Sequence, residues 1–357
     1  MNDNSSTKQR CAFLTGRNRG FENLKLRLNY AWMELEGLLY PDVFCIPKWL
    51  GFSCHYISNS KKIDVGNYKY IFSEFNAEVN QLAALQRIVE QASEKVVVIP
   101  GPKEIFELNT NKEAREIAAG IFQTVRHVWA YSPGVMRFVD ENAGKPVARL
   151  IPWPFNYHET RRIGLGYRDK PSGELWILAG VPIRFSGIAE NAPHYLERCL
   201  AKAVRSVSVQ RQKRIRFFGM VYTEEDRRIW KETGFGRDLL IEMESRKRYS
   251  SFLRFVGACD AVVHLSRLDI LGRISFIAAS LGKPGVFTGN VMLNRTLYPS
   301  SLVETPEDPA LQHLVDDLLT GLATSSLNDR FLPNSQAVKT IGDFDWNANL
   351  LKGYLQT

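Results

Sequence analysis

The sequence predicts an α/β protein made of two parallel-sheet halves, and three observations carry that expectation. Short apolar runs of strand type alternate with helical segments along the chain, which is the pattern of a parallel sheet covered by helices on both faces. The length of 357 residues exceeds one ordinary core and suits two domains. The segment 259–290, CDAVVHLSRLDILGRISFIAASLGKPGVFTGN, reads as one complete βαβ unit. In it an apolar strand (Ala261–Val263) runs into a polar loop from Ser266 to Gly272. A helix follows, stops at Gly282-Lys283-Pro284, and leads straight into a second strand from Gly285 to Thr288. Ligands of such sheets bind outside the carboxyl ends of the strands. That position is the loop carrying Asp269 and Gly272, with the first amides of the helix turned towards it.

The remaining elements follow in order. CAFLTG (Cys11–Gly16) is a short strand ending in a glycine turn, followed by Arg17-Asn18-Arg19-Gly20 and a Leu-rich stretch. YKYIFSEF (Tyr68–Phe75), KVVVIPG (Lys95–Gly101), HVWAYS (His127–Ser132) and VARLIPWPF (Val147–Phe155) are strand candidates, several halted by Pro or Gly. Between them, Lys112–Thr124 and Gly134–Asn142 read as helices. Three prolines, three glycines and several charges accumulate over Pro152–Gly173 without apolar period, which reads as a linker. Beyond it come a strand at Gly173–Gly180, a long helix at Ala192–Val207, a strand at Arg214–Gly219 and a helix at Tyr249–Gly257. The closing segment FDWNANLLKGYLQT sets Trp346, Leu350 and Tyr354 at helical spacing, so it should pack on the body.

Composition narrows the class. Apolar content of 45% and charged content of 24% are those of a globular protein. No apolar run reaches the roughly 20 residues that span a bilayer. MNDNSSTKQR lacks the apolar stretch of a signal peptide, which leads to the expectation of a cytoplasmic protein. Five scattered cysteines (Cys11, Cys45, Cys54, Cys199, Cys259) have no metal-ligand spacing and read as reduced thiols. The net charge of +8 is spread, with 19 basic against 16 acidic groups in residues 1–154 and 27 against 22 in the rest. Clusters at Arg211, Lys213, Arg214, Arg216 and at Arg246-Lys247-Arg248 favour anionic partners. No GxxxxGK[ST] loop and no GxGxxG turn is present. His127 and His264, each in an apolar strand, read as core histidines.

Several of these motifs together resemble retaining nucleotide-sugar glycosyltransferases of GT-B fold, the glycosyltransferase family 4-like group. Ser132 with its helix, followed by ARLIPWPFNYH, is similar to the end of the first domain in that family. ILAGVPIRFSGI (Ile177–Ile188) is similar to the first strand and loop of the second domain. CDAVVHLS and LGKPGVFTG match the strand and the Gly-Lys-Pro stop of its donor site, and FDW (Phe344–Trp346) resembles the helix that crosses back. The resemblance implies two Rossmann-like domains facing across a cleft. The first spans 1–158 on the acceptor side and the second 159–335 on the nucleotide-sugar side, with a closing helix at 336–357 packed on the first.

The motif diverges at its acidic positions. The first family Glu falls on Asp269 and the second on Ile277, while the clamp Arg and Lys fall near Val181 and Ser186, with Arg184 between them. The resemblance implies a hexosyl- or pentosyltransferase, retaining and metal-independent, that uses no cofactor beyond a UDP- or GDP-linked donor. Asp269 is then the catalytic-site carboxylate that orients a sugar hydroxyl. Helix amides and cations can stabilise a leaving diphosphate without a metal. Arg184, Gly272, Arg273, Ile274 and Ser275 are the donor-binding candidates, and Gly16, Arg17, Arg19 and Gly20 line the acceptor side. The acceptor is open: glycan, lipid with peripheral membrane contact, protein, or a modified nucleic acid such as phage DNA. The alternative is a GT-B-like protein that binds a nucleotide or glycan and transfers nothing.

Overall fold

The computed structural model describes residues 10–14, 43–57, 63–153, 155–166, 170–179, 214–219, 228, 240–241, 249–266, 272–305 and 308–356. The chain divides into two compact units, Met1–Pro154 with Phe344–Thr357, and Phe155–Asp343.

The first unit is built on a six-stranded parallel sheet. Its strands are β1 (Arg10–Leu14), β2 (Ser53–Ile57), β3 (Tyr70–Glu74), β4 (Val96–Ile99), β5 (His127–Ala130) and β6 (Ala148–Leu150), in the order β2-β1-β3-β4-β5-β6. The pairing is parallel throughout. Ala12, Leu14, Ile71, Val96, Val98 and Val128 face one layer of helices. That layer comprises α2 (Val79–Ala92), α4 (Lys112–Thr124) and α5 (Pro133–Ala143). Alternate residues, among them Phe13, Phe72 and Trp129, turn to the other face and are equally buried, with Phe72 and Trp129 5.9 Å apart. A sheet buried on both faces demands the continuous apolar runs that made its strands readable. Polar caps set the helix starts. Asn111 accepts from the Ala114 amide and Ser132 from the Val135 amide, each satisfying a free donor of the first turn.

The second face of this sheet receives α12 (Phe344–Gln356) and α1 (Ile46–Trp49), where Trp49 and Phe344 meet at 5.3 Å. The Tyr70 hydroxyl donates to the Leu355 carbonyl at 3.1 Å. The closing segment is thus a helix that docks on the first unit, but through a different face from the expected one. Asn347, Ala348, Leu351 and Leu355 are buried, while Trp346 is 58% exposed.

The second unit repeats the plan. Strands β7 (Glu174–Ala179), β8 (Arg214–Gly219), β9 (Leu240–Ile241), β10 (Ala261–His264), β11 (Gly285–Thr288) and β12 (Leu302–Val303) form a parallel sheet ordered β12-β11-β10-β7-β8-β9. Ile177, Phe217, Val263 and Val286 pack under α10 (Ala310–Thr324) through Leu311, Val315 and Leu318. At the amino end of β10, Asp260 accepts from the Trp176 amide at 2.7 Å and from Lys170 at 2.5 and 2.6 Å. The architecture is α/β with two Rossmann-like sheets.

One expectation is corrected here. The stretch read as a linker contains α6 (Tyr157–Gly164), capped by Asn156, with Glu159 in its first turn and Arg161 and Arg162 in its last. Its apolar stripe is short because it is held by backbone approach. Its neighbour α7 (Tyr249–Ala258) crosses it at Gly257, where a Cβ would land on the Gly164 carbonyl oxygen. The expected helix at 192–207 lies outside the described residues. No helix among the described residues is long and apolar enough to cross a membrane.

Candidate functional site

The carboxyl ends of β10 and β11 carry the site. His264 and Leu265 are buried, and the Ser266 amide donates to the Thr288 hydroxyl at 2.9 Å, tying the two strand exits together. The Thr288 carbonyl in turn accepts from the Asn294 side-chain amide at 2.8 Å. Asn294 lies on α9 (Met292–Leu297), so the chain leaving β11 is folded back against the strand it left.

Helix α8 (Arg273–Ser280) starts beside this knot. Its N-cap is Gly272, with φ 66 and ψ 30, and among the described residues no side chain caps the helix. A Cβ at Gly272 would sit 3.0 Å from both Val291 Cγ1 and Leu293 Cβ. Glycine is required there twice over, for the left-handed backbone and for the close approach. Among the described residues no side chain caps this first turn, and the helix dipole makes that end attractive to an anion. Ser275 sits in this turn, fully buried, with no partner for its hydroxyl among the described residues. Asn290 and Asn294 each leave a buried carbonyl oxygen similarly unmatched. Unmatched buried polar atoms cost about 1–3 kcal/mol each, so their concentration beside one helix start marks a place where a ligand can supply partners.

Of the residues expected to act, Gly272, Arg273, Ile274 and Ser275 fall together at this helix start, with Arg273 and Ile274 half-buried. Asp269, Arg184, Gly16, Arg17, Arg19 and Gly20 lie outside the described residues. Ile277, where the resemblance has a Glu, is fully buried on the packed side of α8. A carboxylate there would have to be accommodated inside the apolar packing. Thr288, Asn290 and Asn294 were not singled out from the sequence. The only signal was the Thr-Gly-Asn run after the strand, whose meaning depends on the fold of α9 back onto β11.

His264 adds a titration. It is buried against Phe287, its Nδ1 has no partner among the described residues, and burial pushes its pKa down to about 4 from an ordinary 6.5. Between pH 6.5 and 4 the unfolded chain takes up a proton that the folded chain refuses. Stability is therefore complete above 6.5 and falls as pH drops through that window, by up to roughly 3 kcal/mol. His264→Leu should flatten this acid dependence in thermal melts; an unchanged slope would contradict the assignment.

No family model and no curated protein matches the sequence. Solved structures do match, over nearly the whole chain. Anabaena HepE in complex with UDP and glucose superposes with a TM-score of 0.62 at 13% identity, covering 98% of this chain and 100% of that one. Sucrose-phosphate synthase from Thermosynechococcus elongatus gives 0.63 at 13% identity, with 98% of each chain covered. The fold is GT-B. OtsA, a trehalose-6-phosphate synthase, matches at a TM-score of 0.61 and 11% identity over 81% of this chain and 72% of that one. This GT-B chain is thus similar in backbone to nucleotide-sugar glycosyltransferases while sharing little sequence with them.

Proposed function

We propose that the protein is a retaining, metal-independent glycosyltransferase that takes a hexose or pentose from a UDP- or GDP-linked donor. The observation that carries this is the start of α8: a helix that begins at a left-handed glycine, with neither a side-chain cap nor a partner for the buried Ser275 hydroxyl among the described residues. The presence of UDP or UDP-glucose in the structures of HepE supports the same reading.

In the reaction the bond between the anomeric carbon and the diphosphate oxygen breaks, and the electron pair leaves with the diphosphate. The amides of Arg273, Ile274 and Ser275 stabilise that developing charge, with the Arg273 guanidinium and Arg184 as cations. The acceptor hydroxyl forms the new bond to the same carbon and passes its proton to the oxygen of the departing diphosphate. Asp269 holds a hydroxyl of the sugar in place. The acceptor is a glycan, lipid, protein or modified nucleic acid, met in the cytoplasm or at its membrane surface. If the acceptor is a polyanion, its affinity falls steeply with salt.

One observation favours a second reading, that of a nucleotide or glycan binder that transfers nothing: Ile277 is buried where the resemblance has a carboxylate. Incubation with UDP- and GDP-sugars, followed by mass spectrometry for released or transferred sugar, separates the two. Turnover is expected in the wild type and should be lost in Asp269→Ala with the melting temperature unchanged. Full activity in Asp269→Ala would contradict the role given to Asp269, and absence of turnover with every donor would favour the binder.

A further inference from the structure

Strands β1 and β2 bring two cysteines together. Their register pairs Cys11 with Cys54 and Phe13 with Tyr56. Register partners of a parallel pair point to the same face from strands about 4.8 Å apart, and the Phe13 and Tyr56 rings, 5.9 Å apart, share that face. A disulfide spans Cα separations of about 4.4–6.8 Å. Ala12 and Leu14 turn the other way, into the core that also takes Leu108 of α3 (Pro102–Thr110). Both thiols are free, Cys11 buried and Cys54 partly exposed. They stand close enough that charge on Cys11 raises the pKa of Cys54. Among the described residues no group of three or more His, Cys, Asp or Glu could hold a metal ion, so the pair is not part of a metal centre there. Strand β2 is the edge of the sheet, in the order β2-β1-β3, and only one neighbour resists the small approach that an S–S bond needs.

We infer that Cys11 and Cys54 form a cross-strand dithiol, which a small-molecule disulfide such as glutathione disulfide oxidises to a bond that locks β2 onto β1. Cys54, the more exposed, loses its proton, and its sulfur attacks glutathione disulfide. The S–S bond of the oxidant breaks, one glutathione leaves, and Cys54 is held in a mixed disulfide. Cys11 then loses its proton and attacks Cys54 Sγ, which forms the protein disulfide and releases the second glutathione. The two protein thiols give up two electrons and two protons, and the oxidant takes them up as two thiols. Burial pushes both thiols up to about 12; the Tyr56 side chain at Cys54, and the Tyr70 backbone and Lys69 charge at Cys11, offset this only in part. Attack requires the thiolate, so the lock closes slowly at neutral pH and about tenfold faster for each unit above it. It is a latch set by sustained oxidation. A pair whose reduced form gains nothing from ionisation also holds its disulfide firmly. Closing it makes residues 11–54 one covalent loop, the stretch that includes Gly16, Arg17, Arg19 and Gly20. The latch is independent of the transferase reading above.

Tryptic mapping of the full chain tests it, after the native protein has been incubated with glutathione disulfide and its remaining thiols alkylated. Trypsin leaves Cys11 in CAFLTGR (11–17) and Cys54 in WLGFSCHYISNSK (49–61), each with a single cysteine. Mass spectrometry should find these two peptides joined, and reduction should separate them. Their joining should be about tenfold faster at about pH 8.5 than at about pH 7.5. The oxidised wild type should melt higher than the reduced chain, since a cross-link restricts the unfolded state. Cys11→Ser and Cys54→Ser should each show neither the joined peptides nor the rise. The inference is overturned if the peptides stay separate, if they join only in chain unfolded by urea, or if Cys54 is found joined to Cys45 instead. A joined pair that leaves the melting temperature unchanged or lower would overturn it too, because the bond would then not lock the strands.

Discussion

Gly257→Ala should lower the melting temperature by several degrees, although it places a better helix former in α7. Alanine favours a helix interior over glycine by about 1 kcal/mol, so on propensity alone the variant would be stabilised. The added methyl, however, falls on the Gly164 carbonyl oxygen of α6, a backbone atom with no rotamer to yield. The helices must then separate. Leu253 and Val256 of α7 and Ile163 of α6 are all buried and would lose contacts with them. Overpacking costs typically 1–3 kcal/mol, and a backbone clash lies at the upper end, so the net loss is about 2 kcal/mol. For a unit of this size that is a fall of roughly 4–8 °C, measurable by calorimetry. An unchanged or raised melting temperature would mean that α6 and α7 do not cross at these glycines.

Gly272→Ala should cost about 1–2 kcal/mol of stability and most of the nucleotide affinity. An L-residue in the left-handed region is strained by about 1–2 kcal/mol, and the new methyl presses on Val291 and Leu293 at 3.0 Å. Relief comes from moving the first turn of α8, which carries the amides and the Ser275 hydroxyl. A shift of that kind should weaken UDP at least tenfold, or about 1.4 kcal/mol. Gly282→Ala is the matched control. Its φ of 68 imposes the same backbone strain at the far end of α8, and its Cβ would meet nothing within 4 Å. It should lose comparable stability and keep its response to nucleotide. Equal nucleotide responses in the two variants would show that Gly272 matters only as a turn.

The strands were legible because both faces of each sheet are buried, so Val96–Ile99 and Ala261–His264 are unbroken apolar runs. Helix α4 was legible at both ends, from its periodicity. Helix α6 was not, because glycine-to-backbone approach leaves no apolar stripe to read. The closing helix was legible as a helix but not in its orientation. Trp346 is the largest apolar residue in it and stays exposed, while the smaller Ala348 and Leu351 fit against the sheet. At the site, Gly272 announced itself as a glycine between a strand exit and a helix. Thr288, Asn290 and Asn294 did not, since they reach α8 only through the turn that folds α9 back. The burial of Ile277 could not be read either; its place in the sequence shows a missing carboxylate, and only packing shows that the position is filled.

Isothermal titration of the full chain with UDP and GDP tests the central claim most directly, because it asks only whether the start of α8 holds a nucleoside diphosphate. Saturable binding of one of the two is expected, weakened at least tenfold in Gly272→Ala and retained in Gly282→Ala. Absence of heat and of any thermal stabilisation with both nucleotides, from a ligand that should raise stability by mass action, would contradict it.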